Sequence, residues 1–339
     1  MVKVGINGFG RIGRQVLRIG LKKGGIDFVA VNDLTDVKTL AYLFKYDTVH
    51  GGFEGKVEHD DKHLIIDGKK IQVLSERDPE MLPWGKLGVE IVVESTGLFR
   101  TRIKAEKHIK AGAKKVLVSA PCKCEPDESG QMCAPIKTIV LGVNEHNYDK
   151  NEDHIISNAS CTTNCLAPVV KVLNDNFGIE KGLMTTIHSY TNDQKILDLP
   201  HKDLRRGRAA AQNIIPTTTG AAIAVTEVIP ELKGRIDGMA MRVPTPCGSI
   251  TDFVCQLKKG TSVEEINKLF NDVSKHHLKN VLEYTDEPIV SVDIINNPHS
   301  SIFDSSSTMM LDDNFVKVVA WYDNEWGYSN RIVDVLKIM

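Results

Sequence analysis

The sequence predicts a doubly wound α/β part with a parallel sheet, followed by an α+β part, and three observations carry this. The chain has 339 residues, enough at roughly 150 per domain for two cores. Its first third alternates short β-branched runs with helical patterns, the signature of a parallel sheet covered on both faces. After about residue 160 the runs lengthen and the alternation stops. In order, Lys3 to Asn7, Phe28 to Asn32, Glu90 to Glu94 and Lys115 to Ser119 read as buried strands, with helices such as Gly13 to Lys23 between them. Gly55 to Ser75 alternates apolar and polar residues about the turn Asp67-Gly68, which predicts an antiparallel hairpin appended to the sheet. In the second part Leu183 to Tyr190, Ser249 to Leu257 and Phe315 to Tyr322 read as long strands, and Val263 to Ser274 as an amphipathic helix. The last segment, Gly327 to Ile338, is again helical and is expected to dock on the first part.

Composition excludes several classes. Hydrophobic residues make up 42% and charged residues 25%, and 42 Lys+Arg against 44 Asp+Glu leave a net charge of −2, so nothing points to nucleic acid or a membrane surface. The longest uncharged runs, His154 to Val170 and Ala209 to Thr226, are broken by Ser, Thr, Asn and Pro and do not read as membrane spans. Met1-Val2-Lys3-Val4-Gly5 passes straight into a strand pattern without the features of a secretory leader, so a cytoplasmic location is expected. Seven cysteines spread over a long chain fit reduced thiols better than a disulfide framework.

Gly8-Phe9-Gly10-Arg11-Ile12-Gly13 follows a strand and opens a helix, the context that turns a glycine pattern into a dinucleotide fingerprint. Gly8 permits the tight turn, Gly10 lets backbone approach a pyrophosphate, and Gly13 allows close helix–strand packing. The helix N-terminus offers N–H groups and a positive dipole end to the phosphates. Asp33 ends the second strand, where a carboxylate accepts from a ribose diol and repels a 2′-phosphate, so NAD is expected over NADP. The first part is therefore read as a Rossmann-type domain.

Ser157-Asn158-Ala159-Ser160-Cys161-Thr162-Thr163-Asn164-Cys165 precedes apolar residues at helical spacing, so Cys161 sits at a helix N-terminus, where the dipole favours a thiolate. On spacing alone a structural cysteine is as good a reading as a nucleophile. A metal pair is disfavoured because no second pair has ligand spacing. His188, in a strand, is a candidate base, but a lone histidine in a strand is more often simply packed, and spacing cannot pair it with Cys161.

Six segments in order resemble one family over nearly the whole chain, phosphorylating glyceraldehyde-3-phosphate dehydrogenase. They are Ile6 to Gly13, Ser157 to Asn164, His188-Ser189-Tyr190-Thr191, Asp198-Leu199-Pro200-His201-Lys202-Asp203, Pro216 to Ala222, and Trp321-Tyr322-Asp323-Asn324-Glu325-Trp326-Gly327-Tyr328-Ser329. The resemblance implies that Cys161 attacks the aldehyde of glyceraldehyde 3-phosphate to give a thiohemiacetal, with His188 lowering its pKa and taking the hydroxyl proton. Hydride then passes to NAD, and inorganic phosphate cleaves the resulting thioester. Ser160, Thr162, Thr191, Arg206, Thr219, Gly220 and Arg242 are implied to hold the two phosphates, offering the hydroxyl, guanidinium and backbone donors that phosphate needs. A capping Ser or Thr, or a solvated face for Arg205-Arg206-Gly207-Arg208, is the plain alternative at each. Arg11, Ile12, Arg77, Ser119 and Asn324 are implied to line the cofactor site, and Leu34, Leu199 and Pro200 to crowd the adenosine ribose. The implied domains are 1–160 with the helix 325–339 for NAD, and 161–324 for catalysis and oligomerisation. Thr191 to Arg208 resembles the family's loop against a neighbouring subunit's cofactor, which implies a homotetramer.

The chain departs from the family pattern after Ser119-Ala120-Pro121, where Cys122 to Pro135 forms an enlarged loop carrying Cys122, Cys124 and Cys133. A soft-metal or redox role is one reading, an inert exposed loop the other. Gly207 within the arginine run is expected to loosen its loop. Two rival functions follow: the related erythrose-4-phosphate dehydrogenase, and a catalytically idle NAD-binding redox sensor, against which Cys161 and His188 count.

Overall fold

The computed structural model describes residues 1–127 and 129–339; Glu128, inside the enlarged loop, lies outside the described residues. The chain divides into two compact units: Met1–Ile139, His146–Ala159 and Ser329–Met339 form one, and Val140–Glu145 with Ser160–Tyr328 the other.

The first unit opens β1 (Val2–Asn7), α1 (Arg11–Lys23), β2 (Ile26–Asn32) and α2 (Val37–Lys45). Val16, Leu17 and Ile19 of α1 are buried, and Gly20 lets the helix lie on Phe28, whose ring an added Cβ would meet at 2.4 Å. Then come β3 (Val57–His59), β4 (His63–Ile66), β5 (Lys69–Leu74), α3 (Trp84–Leu87), β6 (Ile91–Glu94), α4 (Arg102–Lys110), β7 (Lys115–Val118), β8 (Lys137–Thr138) and β9 (Ile155–Ser157). All nine strands form one sheet, ordered β3-β4-β5-β2-β1-β6-β7-β9-β8. The strand order reverses at β1, which is parallel to both β2 and β6. That switch point is where open parallel sheets bind ligands, beyond the strands' carboxyl ends.

The predicted appendage is corrected here. The 55–75 segment makes three strands, and β5 joins β2 in parallel register from Ala30 with Gln72 to Asn32 with Leu74, so the hairpin continues the main sheet. The enlarged loop is also tied down: Thr101 bridges Lys123, Pro126 bridges Met132, and Cys122 packs on the cluster of Ala105, Val116, Val118, Ile136 and Ile155. Cys124 is exposed, and all seven cysteines are free thiols.

The second unit contains α5 (Cys161–Phe177), β10 (Ile179–Ser189), β11 (Ile215–Thr218), α6 (Ala221–Val228), β12 (Ile236–Val243), β13 (Ser249–Leu257), α7 (Val263–Lys275), β14 (Leu282–Thr285), β15 (Ser301–Leu311) and β16 (Phe315–Tyr322). Its mixed sheet runs β11-β12-β10-β13-β16-β15-β14. β13 alternates buried and half-buried residues along its length, as a strand with one covered face should. β15 was not among the expected strands because Ser305-Ser306-Ser307 reads as loop; Asp304 stays in the sheet by accepting from Trp321 Nε1 at 3.1 Å. α8 (Trp326–Ile338) crosses units, with Ser329 onward belonging to the first, where Asp334 pairs with Lys23 at 2.8 Å. Among the described residues, no helix is long and apolar enough to cross a membrane.

Candidate active site

At the end of β1 the backbone must turn sharply into α1. Gly8 adopts φ 92°, a conformation a side chain resists, and a Cβ there would lie 2.7 Å from Thr96 N. A Cβ on Gly13 would sit 2.2 Å from the Gly8 carbonyl, so helix and turn touch only because both are glycine. Gly10 differs. Nothing lies within 4 Å of its missing Cβ, and it caps α1 without a side-chain acceptor. This open cradle at a helix N-terminus, with no acidic residue in the first turn, fits a pyrophosphate. Asp33 accepts from Phe9 N at 2.9 Å and Thr35 N at 3.0 Å, which fixes its carboxylate against the turn and leaves lone pairs for a ribose.

The neighbours refine the expectations. The Arg11 guanidinium is held by Asp47 at 2.6 Å. Ile12 is half-buried. Ser119 Oγ donates to the Glu94 carbonyl at 3.0 Å, and Arg77 is exposed. Beneath the turn a buried polar chain joins the strand ends: Asn7 donates to Glu94 at 2.6 Å, Asn32 to Asn7 at 2.7 Å, and Glu76 N to Asn32 at 2.9 Å. His108 accepts from Trp84 Nε1 at 3.1 Å, which leaves its other nitrogen to donate to Glu94. None of Asn7, Asn32, Glu94 and His108 was singled out as a separate site residue, since their pairing joins segments 87 and 14 positions apart.

In the second unit, Ser160 caps α5, accepting from Thr163 N at 3.1 Å. Cys161 opens the helix, half-buried, with its Sγ 3.5 Å from His188 Nε2. Sequence spacing could not pair these residues; α5 and β10 do. His188 is 4% exposed, and Tyr322 lies edge-on to its ring at 6.0 Å. The Tyr322 hydroxyl bridges Thr162 at 2.8 Å and Thr186 at 2.9 Å. Thr162 therefore spends its hydroxyl inside the protein. Arg242 places Nη1 2.8 Å from His188 Nδ1 and 3.0 Å from the Ser189 carbonyl.

Burial acts on this pair against the helix N-terminus, which favours a thiolate. Burial pushes the Cys161 thiol up, and the nearby Arg242 charge only partly opposes it. Burial, aided by Arg242, holds His188 down at about 3. Cys165, one turn deeper, is buried against Thr251 and Ser301 and pushed up to about 12, which makes it an inert core thiol.

The remaining phosphate candidates divide. Arg206 is committed to Asp193 at 2.8 Å, Thr217 Oγ1 at 2.9 Å and the Thr218 carbonyl at 3.0 Å. Thr219 accepts from Ala221 N, and Gly220, exposed with nothing near its missing Cβ, caps α6. Thr191 is half-buried. Asn324 accepts from Ser249 Oγ at 2.9 Å and Gly248 N at 3.2 Å, which fixes its amide. Gly207 tightens its loop, contrary to expectation, because a Cβ there would meet the Leu199 carbonyl at 2.7 Å. Asp193 and Tyr322 were missed as partners; Tyr322 stood inside a quoted motif, but nothing local reveals what its hydroxyl reaches.

Comparison with known proteins agrees with this geometry. Residues 2–102 match the domain described as glyceraldehyde 3-phosphate dehydrogenase, NAD binding domain, and residues 160–324 the one described as glyceraldehyde 3-phosphate dehydrogenase, C-terminal domain. Glyceraldehyde-3-phosphate dehydrogenase of Geobacillus stearothermophilus is 58% identical over 98% of this chain and 97% of its own. Glyceraldehyde-3-phosphate dehydrogenase 1 of Bacillus subtilis (strain 168) is 57% identical over 98% and 97%. The enzyme of that name from Borreliella burgdorferi is 55% identical over 98% of both chains. Two domain matches and identity of this order across nearly the full length mean that the chain belongs to the glyceraldehyde-3-phosphate dehydrogenase family of oxidoreductases, and that its cofactor is NAD.

Proposed function

We propose that the chain oxidises and phosphorylates glyceraldehyde 3-phosphate to 1,3-bisphosphoglycerate, as a cytoplasmic homotetramer of central sugar metabolism. The observation that carries the chemistry is Cys161 Sγ 3.5 Å from His188 Nε2 at the opening of α5. Cys161 forms the thiohemiacetal and afterwards the thioester, and His188 holds the proton at Nε2 in each addition. Bound NAD supplies the hydride acceptor. The turn of Gly8, Gly10, Arg11, Ile12 and Gly13 cradles the pyrophosphate, Asp33 takes the ribose diol, and Arg77, Ser119 and Asn324 line the rest. Ser160, Thr162 through its backbone, Thr191, Arg206, Thr219, Gly220 and Arg242 serve the substrate and incoming phosphates. Residues 1–160 with 325–339 make the cofactor domain, and 161–324 the catalytic and assembly domain.

Two surfaces of the second unit support assembly. Ile196, Leu197, Leu199, Leu204 and Ile214 in the segment between β10 and β11 are 60–86% exposed, more apolar surface than a lone chain usually leaves bare. The open face of the seven-stranded sheet holds a groove of about 920 Å³ with Leu183, Ile223, Val254 and Phe315 in its lining. Sedimentation should give four chains per particle; a monomer would refute this.

The activity test is NADH formation on mixing the protein with NAD and glyceraldehyde 3-phosphate, with and without phosphate or arsenate. Sustained NADH that requires the anion is expected. Sustained turnover without it would mean that water cleaves the thioester, as in the hydrolytic relative.

A further inference from the structure

We infer that His108 is a positioning residue for NAD: through the buried Glu94 carboxylate it holds the loops that follow β1, β2, β5 and β6 in the arrangement the cofactor needs, before the cofactor arrives. This rests on the reading of the Gly8 turn as the cofactor cradle given above.

Glu94 ends β6, and its side chain and that of His108 have no exposed surface. Four donors converge on the carboxylate. Oε2 accepts from Asn7 Nδ2 at 2.6 Å and from His108 Nε2 at 3.1 Å. Oε1 accepts from Thr96 N at 2.8 Å and from the Thr96 hydroxyl. The histidine has one usable tautomer, because Trp84 Nε1 only donates; His108 Nδ1 accepts it at 3.1 Å and Nε2 carries the hydrogen to Glu94. Among the described residues no lysine or arginine pairs with Glu94. A buried carboxylate held by neutral donors alone is a costly way to fill a core, and its use is to fix one arrangement of the groups around it.

Two arms leave this carboxylate for the cleft. The first runs along the loop after β6. With its N–H and hydroxyl drawn to Glu94, Thr96 accepts from Leu98 N at 3.0 Å, and its own nitrogen stands 2.7 Å from where a Cβ on Gly8 would lie. Ser95 beside it donates to the Gly8 carbonyl at 2.7 Å, the oxygen against which Gly13 packs. The second arm runs sideways across the strand ends. Asn7 accepts from Asn32, and Asn32 accepts from Glu76 N at 2.9 Å and donates to the Glu76 carbonyl at 2.9 Å. Glu76 Oε1 then accepts from Arg77 N at 2.8 Å and Asp78 N at 3.1 Å. The hydrogens that link Glu76 to Asn32, Asn32 to Asn7 and Asn7 to Glu94 all point the same way, toward an acceptor that cannot donate. α4 meets both arms, since Lys107 holds Asp78 at 2.9 Å while His108 holds Glu94. The strands involved are neighbours, β5-β2-β1-β6, and their carboxyl ends flank the switch point where such sheets bind ligands. Backbone pairing of Val4–Asn7 with Ile91–Glu94 does not depend on these side chains, so what the network adds is order in the loops. A cradle ordered in advance binds more tightly than one ordered by its ligand.

The test uses the nucleotide-free full-length protein, with NAD as the probe. His108→Leu offers neither donor nor acceptor, and Glu94→Gln keeps the shape but turns hydrogens on the converging donors. Each should weaken NAD binding in titration calorimetry by about tenfold, the size of one hydrogen bond's net contribution. KM for NAD should rise alike while kcat stays within about twofold. His108→Gln, which has an acceptor and a donor in one planar group, should restore the wild-type affinity. Hydrogen exchange read by mass spectrometry should be about tenfold faster in His108→Leu and Glu94→Gln for peptides carrying Gly8 and Thr96, unchanged for β13, and slow again at saturating NAD. Wild-type affinity in both variants, His108→Gln as weak as His108→Leu, or weaker binding without faster loop exchange overturns the inference. Should both variants fail to fold, the wild type decides: its two loop peptides must already be protected without NAD, and protection that appears only with NAD overturns the inference. Gly10→Ala in the same titration separates the two readings. Weaker binding there beside wild-type affinity in His108→Leu overturns this inference alone, and wild-type affinity in Gly10→Ala overturns the cradle reading with it.

Discussion

The cofactor turn and the cysteine site solve opposite problems. The turn is built from what is missing: Gly8 and Gly13 stand where a Cβ would strike backbone, and Gly10 where one would fill open space. Its three glycines lie close together along the chain, Asp33 meets Phe9 from 24 positions on, and a buried polar chain from Asn32 to His108 holds the turn from below. The cysteine site is built from what is brought in. Cys161, His188, Arg242 and Tyr322 come from one helix and three strands, and its defining contacts span 27, 54 and 160 positions. The turn teaches that the glycine pattern of a ligand cradle is specified locally even though distant residues hold it in place. The cysteine site teaches that a thiol and an imidazole become neighbours only through tertiary placement.

The comparison breaks most sharply at Cys161. Cys161→Ser should lower NADH formation by roughly four orders of magnitude or more while NAD affinity, measured by titration calorimetry, stays near wild type. Loss of both together would mean that the regions are not separable. His188→Asn should cost about 10²- to 10⁴-fold in turnover, again with NAD binding kept. Asp33→Gly with small residues at Leu199 and Pro200 should move the NADP/NAD preference by about tenfold or more, read as the ratio of kcat/KM values. Paired glycine variants sharpen the contrast within the turn. Gly13→Ala should cost about 1–3 kcal/mol of stability through overpacking, whereas Gly10→Ala should keep Tm and weaken NAD binding. Equal effects on Tm would undo the distinction between a packing glycine and an approach glycine.

A further effect concerns pH. His188 is held at about 3 in the folded chain against an ordinary 6.5, so the folded state refuses a proton that the unfolded chain accepts. Its contribution is fully present above 6.5 and is lost as pH falls toward 3, at no more than about 1.4 kcal/mol per pH unit. His188→Asn should flatten that acid slope in denaturant titrations; an unchanged slope would mean that His188 is protonated at no net cost.

What could be read from the sequence follows the same division. The strands at Lys3, Phe28, Glu90 and Lys115 and the fingerprint were legible because period, glycine spacing and strand–helix context are local. The parallel join of Leu74 to Asn32 was not, since an alternating run around Asp67-Gly68 says nothing about a third strand crossing to the main sheet. β15 hid behind Ser305 to Ser307, which lie in a register shift between Asp304 and Met309 where the strand's pairing with β16 is interrupted. Cys161 and His188 were visible as residue types, but their meeting, the Tyr322 bridge and the occupation of Arg206 by Asp193 depend on tertiary placement. The helix N-terminus at Cys161 was legible in the sequence, whereas the burial that acts against its thiolate is decided by everything around it.

The crossing of α8 bears on how the chain folds during synthesis. Ser329–Met339 belongs to the same unit as Met1–Ile139, and Arg331, Ile332, Val333, Val335 and Leu336 within it are buried. The unit that holds Met1–Ile139 is therefore completed by residues made after the second unit. Domains ordinarily fold in order of emergence. Here the nascent sheet must wait with part of its apolar surface bare while the whole second unit is translated, which makes the interval before residue 329 emerges the time at which a chaperone would be needed.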